Sequence, residues 1–345
     1  MSKINVGGQA VIEGVMMRSP RAFAIAVRRP DGKIELSIRK WVSLWERLKF
    51  LRYPFFRGTV VLLETLFNGI SALNFSAKVS MPEEGKEKKE QSDIAIIMTM
   101  VVAFAFGLLL FVALPHYLTI ILSKLMGREL DVSSIMFHIV DGFIKIIIFL
   151  FYLYLISLMK DVKRVFMYHG SEHKSIFAYE HDEELSVENA RKYTTHHPRC
   201  GTSFLLIVIL VSILLFAIVF PFIPDFVSNK WLNNAVMVLI KMILMFPVAG
   251  ISYEFLKFSS KYQENPILKL LIYPGLLLQR ITTQPPTDDM LEVAIISILA
   301  VLREEQNPKD EARVLTFESL EDFKSRYLMM NGGSAEAVTK HQIVQ

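Results

Sequence analysis

Between Ser171 and Ser203 the chain gathers four of its eight histidines, His173, His181, His196 and His197, together with its only cysteine, Cys200. His169 stands two residues upstream. Imidazole nitrogen, thiolate sulfur and carboxylate oxygen are the usual ligands of Zn²⁺. His197 and Cys200 are separated by two residues, a gap that lets two ligands converge from one turn, and His173 would supply a third from the other end of the stretch. Glu172, Glu180 or Glu254 is then either a fourth ligand or the base that acts on the water of a three-ligand, catalytic site. The spacing is neither HExxH nor a repeated CxxC, so the residues alone leave other readings open. In one, Cys200 is a nucleophile beside Arg199 and a helix N-terminus, with His173 or His197 as its base. In another, Cys200 is a packed or acylated cysteine at a membrane edge. His181, beside Asp182, reads as a solvated residue.

Long apolar runs flank this stretch. The chain has 345 residues, 52% of them hydrophobic, and the excess sits in uninterrupted segments, which indicates an integral membrane protein. Four spans are expected: Ile94–Ser123, Met136–Met159, Phe204–Pro224 and Trp231–Ser252. Pro115 is expected to end or kink the first. Pro266–Leu278, broken by Lys269 and Pro274-Gly275, reads as re-entrant or interfacial. The opening MSKINVGGQAVIEG lacks the apolar segment of a signal peptide. One cysteine excludes an internal disulfide. The net charge of +4 is modest, and its placement matters more than its size. Lys160, Lys163, Arg164, Lys174, Arg191, Lys192 and Arg199 crowd residues 159–202, whereas Lys124, Arg128 and Lys230 are the cations of the opposite loops. By the positive-inside rule both termini and the His/Cys stretch are cytoplasmic in a multi-pass protein of the cell membrane.

The expected fold is therefore a mainly α-helical integral membrane protein with about four transmembrane helices and a small cytoplasmic β-containing domain. Residues 1–40 form the β-rich segment. Phe23, Ile25 and Val27 alternate along one strand and Ile34, Leu36 and Ile38 along the next, joined through Arg28–Gly32 as a hairpin. The opening GGQAVIEGVMMR sets Gly7, Gly8 and Gly14 around a short apolar strand, and it lacks the GxGxxG spacing of a dinucleotide site. Residues 41–80 read as amphipathic, interfacial helix. There Trp41, Trp45, Leu48 and Phe50 alternate with Arg47, Lys49 and Arg52, a mixture suited to anionic lipid headgroups. A charged linker covers 81–93, the first two spans 94–159, the cytoplasmic His/Cys loop 160–202, the last two spans 203–252, and the re-entrant or interfacial segment 253–285. In 286–345 a capped helix starts near Asp288 and carries an apolar stripe of Leu291, Ala294, Ile295, Ile298 and Leu302, followed by a disordered tail from about Asn331. Within the spans, Asp141, Lys145 and Lys241 form a charged cluster expected to tie the second and fourth spans together.

The stretches GGQAVIEGVMMR (7–18), YPFFRG (53–58), Glu172–Lys174, HPRCGTSFLL (197–206) and QRITTQPPTDDMLEVAI (279–295) together resemble the DUF1385 family of bacterial membrane proteins. The resemblance implies a metal-dependent enzyme and favours His173, His197 and Cys200 as ligands, since each lies inside a matching stretch, and lends less to His196. The expected cofactor is a divalent metal of the zinc type. Glu172 or Glu254 is expected as catalytic acid/base, and the reaction as hydrolytic, on a substrate at the inner membrane surface. The alternative is a non-enzymatic membrane scaffold or assembly factor with a structural His/Cys cluster. Expected partners are the lipid bilayer and an anionic lipid or protein on the cytoplasmic face, with no nucleic acid. A third reading, transport through the Asp141 and Lys241 region, lacks a continuous series of acids.

Overall fold

The computed structural model describes residues 3–44, 53, 56–81, 93–127, 130–262, 265–306 and 311–328. The expected aromatic and basic residues Trp45, Arg47, Leu48, Lys49, Phe50 and Arg52, most of the 81–93 linker, and the tail from Asn331 lie outside these.

Residues 7–40 fold as an antiparallel meander, β1 (Gly7–Val11), β2 (Gly14–Arg18), β3 (Ala22–Arg28) and β4 (Ile34–Lys40), and β5 (Arg313–Phe317) pairs with β4 to close the order β1-β2-β3-β4-β5. The glycine-rich opening is thus a hairpin of two strands, with Val11 opposite Gly14. The β3–β4 hairpin matches the expected alternation. Its connection is closed by the Arg29 N–H donating to Lys33 O (2.8 Å), and Gly32 takes φ +88°. Both faces of the sheet are covered. Phe23, Ile25 and Val27 pack against Ala72, Phe75 and Val79 of helix α1 (Phe56–Ser80). Ala24, Ala26, Ile34, Leu36 and Ile38 face α10 (Asp288–Gln306) and α5 (Lys160–Glu180). The alanines of β3 let α10 lie close, so Ser297 Oγ reaches Ala24 O at 3.3 Å. Leu291, Ile295, Ile298 and Leu302 of the expected stripe are all buried. Each such side chain contributes roughly 1.5–3 kcal/mol, which makes α10 the central beam of the domain.

Among the described residues, five helices are long and apolar enough to cross a membrane, one more than expected: Arg57–Ser80, Val101–Leu125, Ile135–Ser157, Gly201–Phe222 and Lys230–Ser259. The extra one is α1, read from sequence as interfacial. The first expected span is α2 (Asp93–Leu108) and α3 (Leu114–Leu125), joined by a π turn at Leu109–Ala113. Pro115 therefore does not end this span. The wider turn before it absorbs the missing N–H and the bulk of the ring. Next come α4 (Ile135–Ser157), α7 (Gly201–Val219) and α8 (Lys230–Lys261). Pro266–Thr282 is one continuous helix, α9, containing Pro274, and it leaves Ile267, Leu270, Leu271 and Tyr273 exposed.

The stretch expected as a cytoplasmic loop is largely helical. Helix α5 runs unbroken through 160–180 and the short α6 spans Val187–Arg191. Its periodicity is masked because Ser171, Glu172, His173 and Ser175, all polar, occupy the buried face. The charged cluster expected among the apolar helices forms. Asp141 Oδ2 lies 3.1 Å from Lys241 Nζ of α8 and 3.6 Å from Lys145 Nζ, one turn away on α4. Lys145 also reaches Ser212 Oγ of α7 at 3.5 Å.

Candidate metal centre

Helical spacing puts His169, Glu172 and His173 on one face of α5 at i, i+3 and i+4. The opposing wall is the segment before α7. Cys200 is the N-cap of that helix: the Thr202 N–H donates to its Sγ at 3.4 Å, and Thr202 Oγ1 stands 3.1 Å from the sulfur. Gln279, fully buried at the end of α9, staples this wall in place. Its Nε2 donates to His197 O (2.8 Å) and Ser203 Oγ (3.1 Å), and its Oε1 accepts the His197 N–H (2.7 Å).

One donor atom each from His169, His173 and Cys200 lies within 4.8 Å of the others. Two main-chain clamps set the imidazoles. His169 Nδ1 lies 2.8 Å from Thr282 O, and His173 Nδ1 lies 2.5 Å from Thr195 O. A carbonyl oxygen only accepts, so both Nδ1 atoms carry the proton and both Nε2 atoms carry a lone pair. His169 Nε2 is 3.2 Å from Cys200 Sγ, and His173 also bonds the same sulfur. A single thiol proton cannot serve two imidazole lone pairs. The three atoms therefore form a buried His/His/Cys cluster able to coordinate a metal.

Two close approaches shape the centre, one at a clamp and one over Glu172. A Cβ on Gly170 would sit 2.1 Å from Gln284 O, so only glycine lets the chain after α9 cross α5 here and deliver Thr282 O to His169. The Gln284 N–H in turn donates to Phe166 O (2.9 Å). A Cβ on Gly8 would sit 2.9 Å from Glu172 Cδ, so the bare β1 backbone is what covers this carboxyl. The Gly8 N–H bonds Glu172, while Glu172 Oε2 has no hydrogen-bond partner among the described residues. Burial raises the Glu172 carboxyl above the usual range, against the pull of His169 and His197. Burial likewise lowers His173.

His197 stands beside His173, ring centroids 5.6 Å apart, with both nitrogens engaged. Burial pushes it down to about 4, so it is neutral. Its Nε2 then donates to Glu180 Oε2 at 3.2 Å, and its Nδ1 accepts the Arg199 N–H at 3.2 Å. Glu180 also pairs with Arg199. Glu254 chelates Arg57 through both carboxylate oxygens, joining α8 to the first turn of α1. His181 is exposed and bonds Phe177 O, and His196 contacts Thr194. The sequence reasoning passed over His169 as a ligand, although its i, i+4 spacing to His173 signals a shared helix face. It also passed over Gln279, Thr282 and Thr195, of which the last two act through main-chain oxygens.

A family model described as "Protein of unknown function (DUF1385)" matches residues 53–304. The chain belongs to the DUF1385 family. It is 35% identical over 325 residues to a Bacillus subtilis (strain 168) protein described as "Uncharacterized protein YqhQ", an alignment covering 90% of this chain and 97% of that one. No solved structure matches. The stretch matched by the DUF1385 model takes in the whole His/His/Cys cluster, Glu172 and the α9 staple, while β1–β4 and β5 lie outside it.

Proposed function

We propose that this DUF1385 protein is a membrane-embedded, metal-dependent hydrolytic enzyme whose ion is held by His169, His173 and Cys200 at the cytoplasmic membrane face. The observation that carries the reading is the pair of carbonyl clamps, which fix both Nδ1–H groups and leave two lone pairs converging on one sulfur. Metal-binding histidines characteristically donate their other N–H to such a partner. Two imidazoles and one thiolate suit zinc, and three protein ligands leave a position for substrate. A zinc-type ion held there would supply Lewis acidity toward a carbonyl or phosphoryl oxygen. Glu172, whose carboxyl burial shifts upward and which lies one residue before His173, is the group assigned to give and take a proton. It is preferred to Glu254 because Glu254 is committed to Arg57. His197 forms the wall behind His173 rather than a ligand, because neither ring nitrogen is unengaged.

Four crossings with cytoplasmic termini fit this assignment. Helix α1 meets the length and hydropathy of a span, yet Ser43 and Leu44 bond its Glu64, and its Ala72, Phe75 and Val79 pack on the sheet. Its Arg57 end meets α8 at Glu254. The middle and the C-terminal half of α1 thus stay with the sheet domain while its first turn meets the end of α8, which supports a helix lying in the interface. The basic residues of α5 and α6 support a cytoplasmic position for that domain.

Metal analysis of protein purified without chelator tests the proposal. Wild type is expected to carry about one ion per chain, and Cys200→Ala and His173→Ala only background, with helical content retained. Wild type without a stoichiometric ion would overturn it. A second reading, a structural metal site in a membrane scaffold, is favoured by burial: Cys200 is 5% exposed and His173 2%. Cobalt(II)-loaded protein separates the two. A visible-spectrum change on adding azide marks an open position, and an unchanged spectrum marks the structural site.

A further inference from the structure

Away from the His/Cys cluster, where β4 ends against α1, lies a cavity of about 320 Å³ lined by Arg39, Lys40, Trp41, Val42 and Asn68. The lining carries two cationic side chains and no acid. Asn68 is 5% exposed, and its Nδ2 has no acceptor among the described residues; Arg39 Nε is likewise without one. The Asn68 amide is oriented by its other end, since Oδ1 accepts from Arg39 Nη2 at 3.4 Å. The Arg39 guanidinium lies over the Phe23 ring, 4.2 Å from its centroid, which holds the fork flat at the cavity wall. No described carboxylate pairs with Arg39. Glu64, one turn earlier on α1, accepts from Ser43 Oγ (2.7 Å) and the Leu44 N–H (2.6 Å) through Oε1, and its Oε2 faces Arg18 at 3.9 Å.

A buried donor without an acceptor carries a desolvation cost that a bound acceptor would recover. A guanidinium fork and an amide N–H₂ converging without an acid form an oxyanion site, and the planar fork matches phosphate best. The surroundings identify what carries the phosphate. Beside Asn68, helix α1 presents Leu62, Leu63, Leu66 and Phe67 as an exposed apolar stripe, Phe67 at 62% exposure. On the other rim Val42 and Leu44 are exposed as well. A cationic cavity bordered by an apolar, outward-facing helix is the pattern of an interfacial lipid site.

We propose that this cavity binds the phosphodiester headgroup of an anionic phospholipid, with its acyl chains lying along the outer face of α1. The site is independent of the metal centre and of the reaction assigned to it.

Thermal unfolding of the full-length protein in detergent micelles, with lipid added, tests this. Phosphatidylglycerol is expected to raise the unfolding midpoint of wild type, whereas phosphatidylcholine and inorganic phosphate leave it unchanged. Arg39→Gln should weaken the phosphatidylglycerol response by about tenfold to a hundredfold in lipid concentration, the loss expected for a charged hydrogen bond. Asn68→Asp should abolish the response while keeping or raising the lipid-free midpoint, because the new carboxylate pairs with Arg39; its effect therefore cannot be ascribed to misfolding. Arg280→Gln, which removes the same charge from the exposed end of α9, should respond as wild type. The proposal is overturned if wild type shows no phosphatidylglycerol-specific shift, if Asn68→Asp responds as wild type, or if Arg280→Gln loses the response equally. A shift by inorganic phosphate equal to that by phosphatidylglycerol would overturn the lipid assignment.

Discussion

At the His169–His173–Cys200 centre the main chain orients the side chains, whereas at Asp141 the side chains compensate one another. Thr282 O and Thr195 O hold the two imidazoles so that their lone pairs meet the sulfur, and no side-chain cation sits among the three donors. Among the long apolar helices, Asp141 is flanked by two lysines, and the Lys241 ammonium also lies 5.3 Å from the Phe137 ring centre and 5.7 Å from that of Phe216. One cluster brings together atoms of metal-ligand type; the other pairs one acid with two lysines. The difference separates a cluster able to coordinate a metal from one that ties α4, α7 and α8 together.

Removing one member from each cluster gives the largest expected effects, and opposite ones. Cys200→Ala should lose the ion and unfold within about 1–2 kcal/mol of chelator-treated wild type, the difference being the lost N-cap of α7. Asp141→Asn should keep about one ion per chain but lose roughly 3–5 kcal/mol of stability, because it strands two buried lysines. Denaturant titrations with parallel metal analysis check both, and an Asp141 variant that loses its ion at full stability would erase the distinction.

Gly170→Ala ranks next. The added methyl displaces Gln284, drags Thr282 O off His169, and should weaken metal affinity by about 10–100-fold, the usual cost of losing a ligand's hydrogen-bond partner. Competition with a chromophoric chelator measures it. Lys145→Met sharpens the membrane side of the contrast. It leaves Asp141 and Lys241 as a one-to-one pair and should cost only about 1 kcal/mol or less. The smallest effect is expected for His197→Ala, which should leave the ion stoichiometry of wild type. Loss of the ion there would return His197 to the ligand set.

The sequence made some of this legible. Strict alternation in β3 and β4 and the acidic start of α10 marked the domain's core, and isolated charges in apolar runs marked the Asp141 cluster, because each breaks an otherwise uniform pattern. His173 and Cys200 were recognisable by residue type. Helix α5 was not, since its inward face is polar and mimics a loop. Helix α1 has the composition of a span, and only its contacts with Val11, Phe23 and Ile25 reveal that it lies on the sheet. The carbonyl clamps were out of reach in principle, because every residue has a carbonyl and only the fold selects two of them. Strand β5 is short, and its pairing with β4 spans nearly the whole chain.

The clamp on His169 comes from Thr282, 113 residues downstream, and the beam α10 meets β3 across 273 residues. During synthesis, β1–β4 and all three side chains of the His/His/Cys cluster therefore leave the ribosome before the segment that clamps His169. Until α9 and α10 are made, His169 is free to rotate and the sheet lacks a cover for one apolar face. The proposed function therefore makes ion loading a late step of biogenesis, one that follows completion of α9, and a chain that stalls before Thr282 would carry the His/His/Cys side chains without the clamp on His169.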